Sequence, residues 1–147
     1  SWSGSDAGPN DPLYASSRWG SYALDWTVAD YLASGAPPEK IVLGLPLYGY
    51  EWPADDTIPA DYQGDGTPRE LASAEAIAQS EGKQFDEPSH TSYVLRQSTQ
   101  LWYDDAEDVR ARIAWAVGEG LAGVGFWALG YEGDDPEFWP MVAAETQ

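Results

Sequence analysis

The stretch from Lys40 to Trp52, KIVLGLPLYGYEW, constrains the fold more than any other part of the chain. It begins with an uninterrupted apolar run from Ile41 to Leu47, which is typical of a strand buried on both faces of a parallel sheet. Alternation gives it one aliphatic face and one face that is small at first and aromatic at its end, at Tyr48 and Tyr50. Polar-tipped rings at the carboxyl end of such a strand favour an α/β barrel, whose active sites lie there.

A second strand of the same kind is predicted at residues 123–130, GVGFWALG, where Gly123, Gly125 and Trp127 share one face. A helix is predicted between the two strands, beginning after Asp105, which serves as its N-cap with Asp108 completing a capping box. Two such strands joined by a crossover helix are expected to lie parallel, with a right-handed connection.

The remaining elements are predicted from helical spacing, caps and turn residues. The first helix is expected over Ser21–Ser34, with Gly35 as its C-terminal glycine and the rings of Tyr22 and Trp26 on its buried stripe. The helix after Asp105 is expected to bury Val109, Ile113, Ala116 and Val117. A short helix over Ala74–Gln79 capped by Ser73, strands at Tyr93–Arg96 and Leu101–Tyr103, and a last helix opened by Asp135 and Pro136 complete the prediction.

Composition excludes several classes of function. The net charge is −18, from 7 basic and 25 acidic side chains, so phosphates would be repelled and neither a nucleic acid nor an anionic membrane is an expected partner. The sequence contains no cysteine, which rules out disulfides and thiolate chemistry. Its 8 Trp and 9 Tyr fit a site that stacks on sugar rings, although aromatic residues also dominate ordinary cores.

Four segments together resemble glycoside hydrolase family 18, the chitinase-like barrels. Residues 43–52 resemble that family's seventh strand, residues 123–130 its eighth, residues 101–105 the return from its insertion region, and residues 1–9 the loop after strand six. The variants YGYEW and WALGYE resemble the bacterial cell-wall and spore-associated branch most. The resemblance implies an α/β fold that forms the C-terminal portion of a TIM (β/α)8 barrel, spanning residues 1–147, with a small α+β insertion at about residues 53–100.

The chain departs from the family pattern in its acids. The family's signature Asp-x-x-Asp-x-Asp-x-Glu is absent, as is the Tyr-Asp pair that ends strand six, and Tyr50 stands where many members carry Arg. We therefore expect the chain to be the C-terminal part of a longer enzyme, with the N-terminal half of the same barrel as its partner. The resemblance implies retaining hydrolysis of β-1,4-linked N-acetylglucosamine polymers, chitin or peptidoglycan, with the substrate's own acetamido oxygen as nucleophile. The catalytic Asp and Glu are not in this chain, so it is expected to be inactive alone and to bind and shape substrate.

Five aromatic residues are candidates for substrate binding. Trp127 is expected under the sugar at the reacting position, with Tyr48 and Tyr50 hydrogen-bonding to sugar hydroxyls and Trp2 and Trp52 at flanking positions. The alternative for each is a ring that packs in the core or against a loop.

Four polar positions are weaker candidates. Glu51 lies at the barrel end that carries active sites, but alternation places it off the Tyr48 face, so a solvated loop carboxylate is expected. Glu132 with Asp134 and Asp135 could hold Ca²⁺, although helix capping explains them better and no calcium-loop spacing is present. His90 has no metal-ligating neighbours and is expected at the surface, so neither a metal nor a cofactor is predicted.

Two further hypotheses compete with the enzyme. One is a non-catalytic, lectin-like relative that has lost its acid, and the other is a structural or interaction module. The family resemblance, rather than a signal peptide, implies a secreted or cell-envelope location.

Overall fold

The computed structural model describes residues 6–61 and 64–146. Trp2 lies outside the described residues. The helices are α1 (Leu24–Ala33), α2 (Leu71–Glu81), α3 (Ala106–Gly118) and α4 (Phe138–Glu145), with a 3₁₀ turn at Pro38–Lys40. The strands are β1 (Asp6–Ala7), β2 (Val42–Pro46), β3 (Tyr48–Pro53), β4 (Ala60–Asp61), β5 (Thr67–Glu70), β6 (Gln84–Asp86), β7 (Thr91–Arg96), β8 (Thr99–Tyr103) and β9 (Gly123–Trp127).

The two expected core strands pair in parallel, as predicted. β2 and β9 run in register from Val42 opposite Gly123 to Pro46 opposite Trp127. The expectation that both faces of this sheet are buried is wrong for the described residues. Leu43 and Leu45 are buried, whereas Val42 on the other face is 60% exposed. Only the aliphatic face packs on helices, and the face that carries the glycines is open.

The stretch from Lys40 to Trp52 forms two strands instead of one. At Leu47 the chain leaves the parallel pair, and β3 joins a five-stranded antiparallel sheet in the order β5-β3-β8-β7-β6. Leu47 is fixed on both sides, since its amide donates to the carbonyl of Trp127 and its carbonyl accepts from the amide of Leu71. The aromatic end of the stretch therefore belongs to the second sheet.

The main core joins the parallel pair and the five-stranded sheet to the helices, and a smaller cluster of Ala7, Ala54 and Ala60 lies where β1 pairs with β4. The buried residues of the main core include Val28 of α1, Leu45 of β2, Leu101 of β8, Ile113 of α3 and Phe138 of α4. Among the described residues, no helix has the length and apolar character needed to cross a membrane.

The first helix begins later than predicted and buries less of its surface. It starts at Leu24 because the N-terminal loop provides the first partners, with the amide of Leu24 bonding to the carbonyl of Pro12. Tyr22 and Trp26 are exposed and pack edge-to-face on each other, so their placement on the buried stripe is wrong. Gly35, at φ +90°, ends the helix as predicted.

The start of α3 is confirmed, because the Asp105 carboxylate accepts from the amides of Glu107 and Asp108, and Asp108 completes the capping box. Its buried stripe differs from the prediction at two positions. Val117 is 49% exposed, and Arg112 is completely buried.

The other two helices differ from the prediction at their starts. α2 begins at Leu71 rather than being capped by Ser73, because Leu71, Ala74 and Ala78 form its buried side. The last helix begins at Phe138, because the Asp135 carboxylate accepts from the amide of Glu137 and closes a turn before it.

Candidate functional site

The candidate site lies at the carboxyl ends of the two parallel strands. β9 ends at Trp127, whose ring is 70% exposed on the open face of the pair. Gly44 and Gly125 lie earlier on the same face, and among the described residues nothing lies within 4 Å of where a Cβ at Gly44 would stand. The backbone of Trp127 is fixed, since its carbonyl accepts from the amide of Leu47 at 2.7 Å. A large ring is thus held at the mouth of an open face.

β3 brings two of the predicted tyrosines to this ring. Tyr48 and Trp127 both line two adjoining depressions, of about 440 Å³ and 300 Å³, and Tyr50 lines the smaller one. The larger depression is lined by Asn10, Asp11, Gly44, Leu45, Pro46, Tyr48, Gly125, Phe126 and Trp127. The smaller is lined by Tyr48, Tyr50, Pro68, Glu70, Trp127 and Tyr131. We refer to the two depressions together as the aromatic cleft.

A row of rings extends from the cleft along β3. Tyr48 and Tyr50 meet edge-to-face with centroids 5.9 Å apart, and Tyr50 stacks on Trp52 at 5.3 Å and 27°. Gly66 lies against the Trp52 ring, where an added Cβ would be 2.6 Å from ring atoms. Trp52 therefore packs on a loop and also continues the row of rings. The sequence had offered these two roles, loop packing and a flanking sugar position, as alternatives.

Sequence reasoning missed four residues that line the cleft: Asn10, Asp11, Glu70 and Tyr131. Asn10 donates from its side-chain amide to the carbonyl of Tyr48 at 3.1 Å and so ties the N-terminal loop to the cleft. Glu70 arrives through strand pairing, because it lies opposite Tyr48 in the β3–β5 register. Glu70 could have been found only by predicting that β5 pairs with β3. The loop-like composition before Pro68 gave no indication of that strand.

The phenol of Tyr48 is suited to hydrogen bonding. Burial raises its pKa, and the neighbouring Tyr50 and Asp11 raise it further. The group therefore keeps its proton over the physiological range and can both donate and accept a hydrogen bond.

A buried charge network lies beside the cleft. The guanidinium of Arg112 is 2.7 Å from a carboxylate oxygen of Asp104 and 3.3 Å from one of Asp11. Burial raises the pKa of Asp104 well above its usual value, Arg112 opposes this, and Asp11 adds to it. Asp11 is thus a cleft residue whose charge is offset by a cation behind it.

The expectation that Glu51 is a solvated loop carboxylate is wrong. Glu51 is 7% exposed. Its carboxylate accepts from Arg69 at 2.5 and 2.9 Å, from Arg96 at 2.7 Å and from Thr99 at 3.0 Å. Burial alone would raise its pKa, but these hydrogen bonds outweigh burial and lower it. Glu51 joins β3, β5, β7 and β8 on the face opposite the tyrosines, as alternation predicted.

The remaining polar candidates do not form a metal site. Among residues 6–61 and 64–146, no cluster of His, Asp and Glu has the arrangement of a cation site. Glu132 accepts from the amide of Gly130 at 2.8 Å and from the indole of Trp139 at 2.9 Å, so it fixes the loop that follows Trp127. His90 packs edge-to-face against Tyr14 and Phe85 and is half-buried, which corrects its expected surface position.

Comparison with known proteins identifies a single family. The model of the glycosyl hydrolases family 18 matches residues 1–132. A probable endochitinase of Caenorhabditis elegans is 27% identical over 143 residues, covering 85% of this chain and 23% of the relative. The cortical fragment-lytic enzyme of Bacillus subtilis (strain 168) is 27% identical over 126 residues, covering 79% and 27%.

The fold is shared with solved chitinases. The GH18 chitinase from Cycas revoluta, solved in complex with (GlcNAc)3, superposes with a TM-score of 0.79 at 24% identity. The superposition covers 96% of this chain and 42% of the plant enzyme. The chain thus has the α/β fold of the corresponding part of these chitinases and spans less than half the length of each protein compared here.

Proposed function

The chain belongs to glycosyl hydrolases family 18, and we propose that it supplies the sugar-binding aromatic cleft of a glycosidase acting on β-1,4-linked N-acetylglucosamine polymers. The observation that carries this proposal is the placement of Trp127. A ring that is 70% exposed stands at the carboxyl ends of two parallel strands, with Tyr48 and Tyr50 beside it. A large ring in a concave setting of other rings and a few polar groups is typical of a ligand site.

The chemistry of the cleft fits a neutral, ring-shaped substrate. The Trp127 face offers an apolar platform for a pyranose ring, and the Tyr48 phenol supplies a polar tip near it. The (GlcNAc)3 complex of the Cycas revoluta chitinase supports an N-acetylglucosamine ligand for this fold.

Catalysis is assigned to residues outside this sequence. We propose that β2 and β9 are the seventh and eighth strands of a (β/α)8 barrel, and that the antiparallel sheet with α2 is its insertion. The acid and the acetamido-orienting Asp of substrate-assisted hydrolysis then come from the N-terminal half of the same barrel, since the signature carrying them is absent here. Chitin and peptidoglycan both lie outside the cytoplasm, so a secreted or envelope protein is proposed.

The competing function is a carbohydrate-binding protein that has no hydrolase activity. It would use the same aromatic cleft, so binding alone does not separate the two. Turnover of a chitobioside by the full-length protein supports the glycosidase, and tight binding without turnover supports the lectin-like alternative.

The binding role of the cleft is tested by replacing Trp127 in the full-length protein. Trp127→Ala removes a ring whose stacked contact contributes on the order of 1 kcal/mol or more, so affinity for an N-acetylglucosamine tetramer should fall about fivefold or further. Trp26→Ala is the matched control, because Trp26 is 42% exposed on α1 and lines neither depression.

Affinities are measured by titration calorimetry after circular dichroism has shown that both variants are folded. Equal affinity of the wild type and Trp127→Ala would refute the assignment of this ring to substrate binding.

A further inference from the structure

One cleft residue carries a charge that the substrate chemistry considered so far does not use. Glu70 is exposed and lines the smaller depression together with Tyr48, Tyr50 and Trp127. It is also the residue before α2, but its side chain makes no capping hydrogen bond to the helix. Its carboxylate is therefore not used in capping α2.

Among the described residues that line the cleft, the other charged side chain is offset by a partner. Asp11, in the larger depression, lies 3.3 Å from the guanidinium of Arg112. Arg69 is adjacent to Glu70 in sequence, but alternation along β5 turns it to the opposite face, where it binds Glu51. Among the described lining residues of the smaller depression, Glu70 bears the only formal charge.

We propose that Glu70 makes the cleft selective for polymers in which some sugar units carry a free amino group. This inference rests on the proposed function, because it places a sugar polymer over Trp127. A de-N-acetylated unit presents an ammonium group where N-acetylglucosamine presents a neutral acetamide. An ammonium beside an unneutralised carboxylate gains an ion pair, and the net charge of −18 attracts cationic polymers to the protein generally.

The substrate class that follows is partly deacetylated chitin. The sugar that reacts must keep its acetamide for substrate-assisted hydrolysis, so the ammonium belongs to a neighbouring unit. Sugar polymers that carry carboxylates close to the chain, as muramic acid units do, are disfavoured at the same position by like-charge repulsion.

The test compares two tetramers, one of N-acetylglucosamine and one of glucosamine, on the full-length protein by titration calorimetry. Glu70→Gln keeps the side-chain shape and removes the charge. Glu39→Gln is the matched control, because it removes the same charge at the 3₁₀ turn before β2, at the opposite end of that strand. The measured quantity is the ratio of the two affinities in each protein.

We expect Glu70→Gln to lower the preference for the glucosamine tetramer about threefold relative to Glu39→Gln, the range of partly exposed ion pairs. This difference should shrink at high salt because the pair is partly exposed. Equal ratios in the two variants would overturn the inference, as would an equal loss of affinity for both tetramers in Glu70→Gln, which would make the carboxylate an acceptor for sugar hydroxyls.

The outcome also separates the two proposals. If binding of the acetylated tetramer depends on Trp127 but Glu70→Gln does not change the affinity ratio, the proposed function stands and the selectivity is refuted. If the wild-type protein binds neither tetramer, both the proposed function and the selectivity are refuted.

Discussion

Replacing Glu51 with Gln should destabilise the protein. Glu51 is adjacent in sequence to the cleft residue Tyr50, but its role is structural. The Gln side chain keeps the shape but loses the charge, and its amide nitrogen faces a donor from Arg69, Arg96 or Thr99 instead of accepting from it. Hydrogen bonds to a buried charged group contribute about 1.5–3 kcal/mol each. The side chains of Arg69 and Arg96 are 38% and 36% exposed, so water can replace part of the hydrogen bonding that they lose in the variant. Each ion pair with Glu51 therefore contributes closer to about 1 kcal/mol to stability.

We therefore expect a loss of about 3 kcal/mol in the free energy of unfolding at neutral pH. The loss depends on pH with a definite sign. Because the folded-state pKa of Glu51 is lowered by its partners, its contribution is present above the unfolded pKa of about 4.3 and disappears as the pH falls through the folded value. The gap between the wild type and Glu51→Gln should close in acid.

The assay is urea unfolding of the full-length protein followed by circular dichroism at neutral and acidic pH, with Glu39→Gln as an exposed control. An unchanged midpoint in Glu51→Gln at neutral pH would refute the reasoning, and so would a gap that is the same at both pH values.

Two further predictions concern the loop after Trp127 and the missing acid. Glu132→Ala leaves the amide of Gly130 and the indole of Trp139 without their acceptor, so stability should fall by about 2 kcal/mol and tetramer affinity should weaken with it, as measured by thermal unfolding and calorimetry. Unaltered affinity in a folded Glu132→Ala variant would show that this loop does not position the ring. The 147-residue chain alone should not hydrolyse a chromogenic chitobioside, because positioned acid catalysis contributes roughly 10²–10⁴-fold; clear turnover would mean that a carboxylate of this chain acts as the acid.

The features that sequence predicted well are those set by nearby residues. The capping box of α3 needs only Asp105 and Asp108, three positions apart, and both hydrogen bonds are present. The parallel pairing of β2 with β9 is a long-range feature, but it follows from two apolar runs joined through a crossover helix.

The features that were missed depend on partners far along the chain. Arg112 is buried because Asp11, 101 residues earlier, and Asp104 neutralise it, and no periodicity predicts a buried cation. Glu51 is buried because Thr99 and Arg96 reach it from the β7–β8 hairpin, more than 40 residues away. Trp127 was predicted from the family resemblance and Tyr48 and Tyr50 from alternation along their strand, and the three line one cleft, whereas Glu70 required the strand register.

The pairing of β3 with β8 has a consequence for engineering. The chain enters the antiparallel sheet through β3 and leaves it through β8, and these strands are direct neighbours, with Tyr50 opposite Trp102. Entry and exit lie side by side, but the segment between them is also held by the common core, through Leu71 and Val94, and by the hydrogen bond from the amide of Ala72 to the carbonyl of Tyr131. A foreign module that ends in two antiparallel strands would match this junction but leave the core residues beneath α2 uncovered, so replacing the β3 side of the cleft while keeping Trp127 also requires a substitute for the buried side of α2.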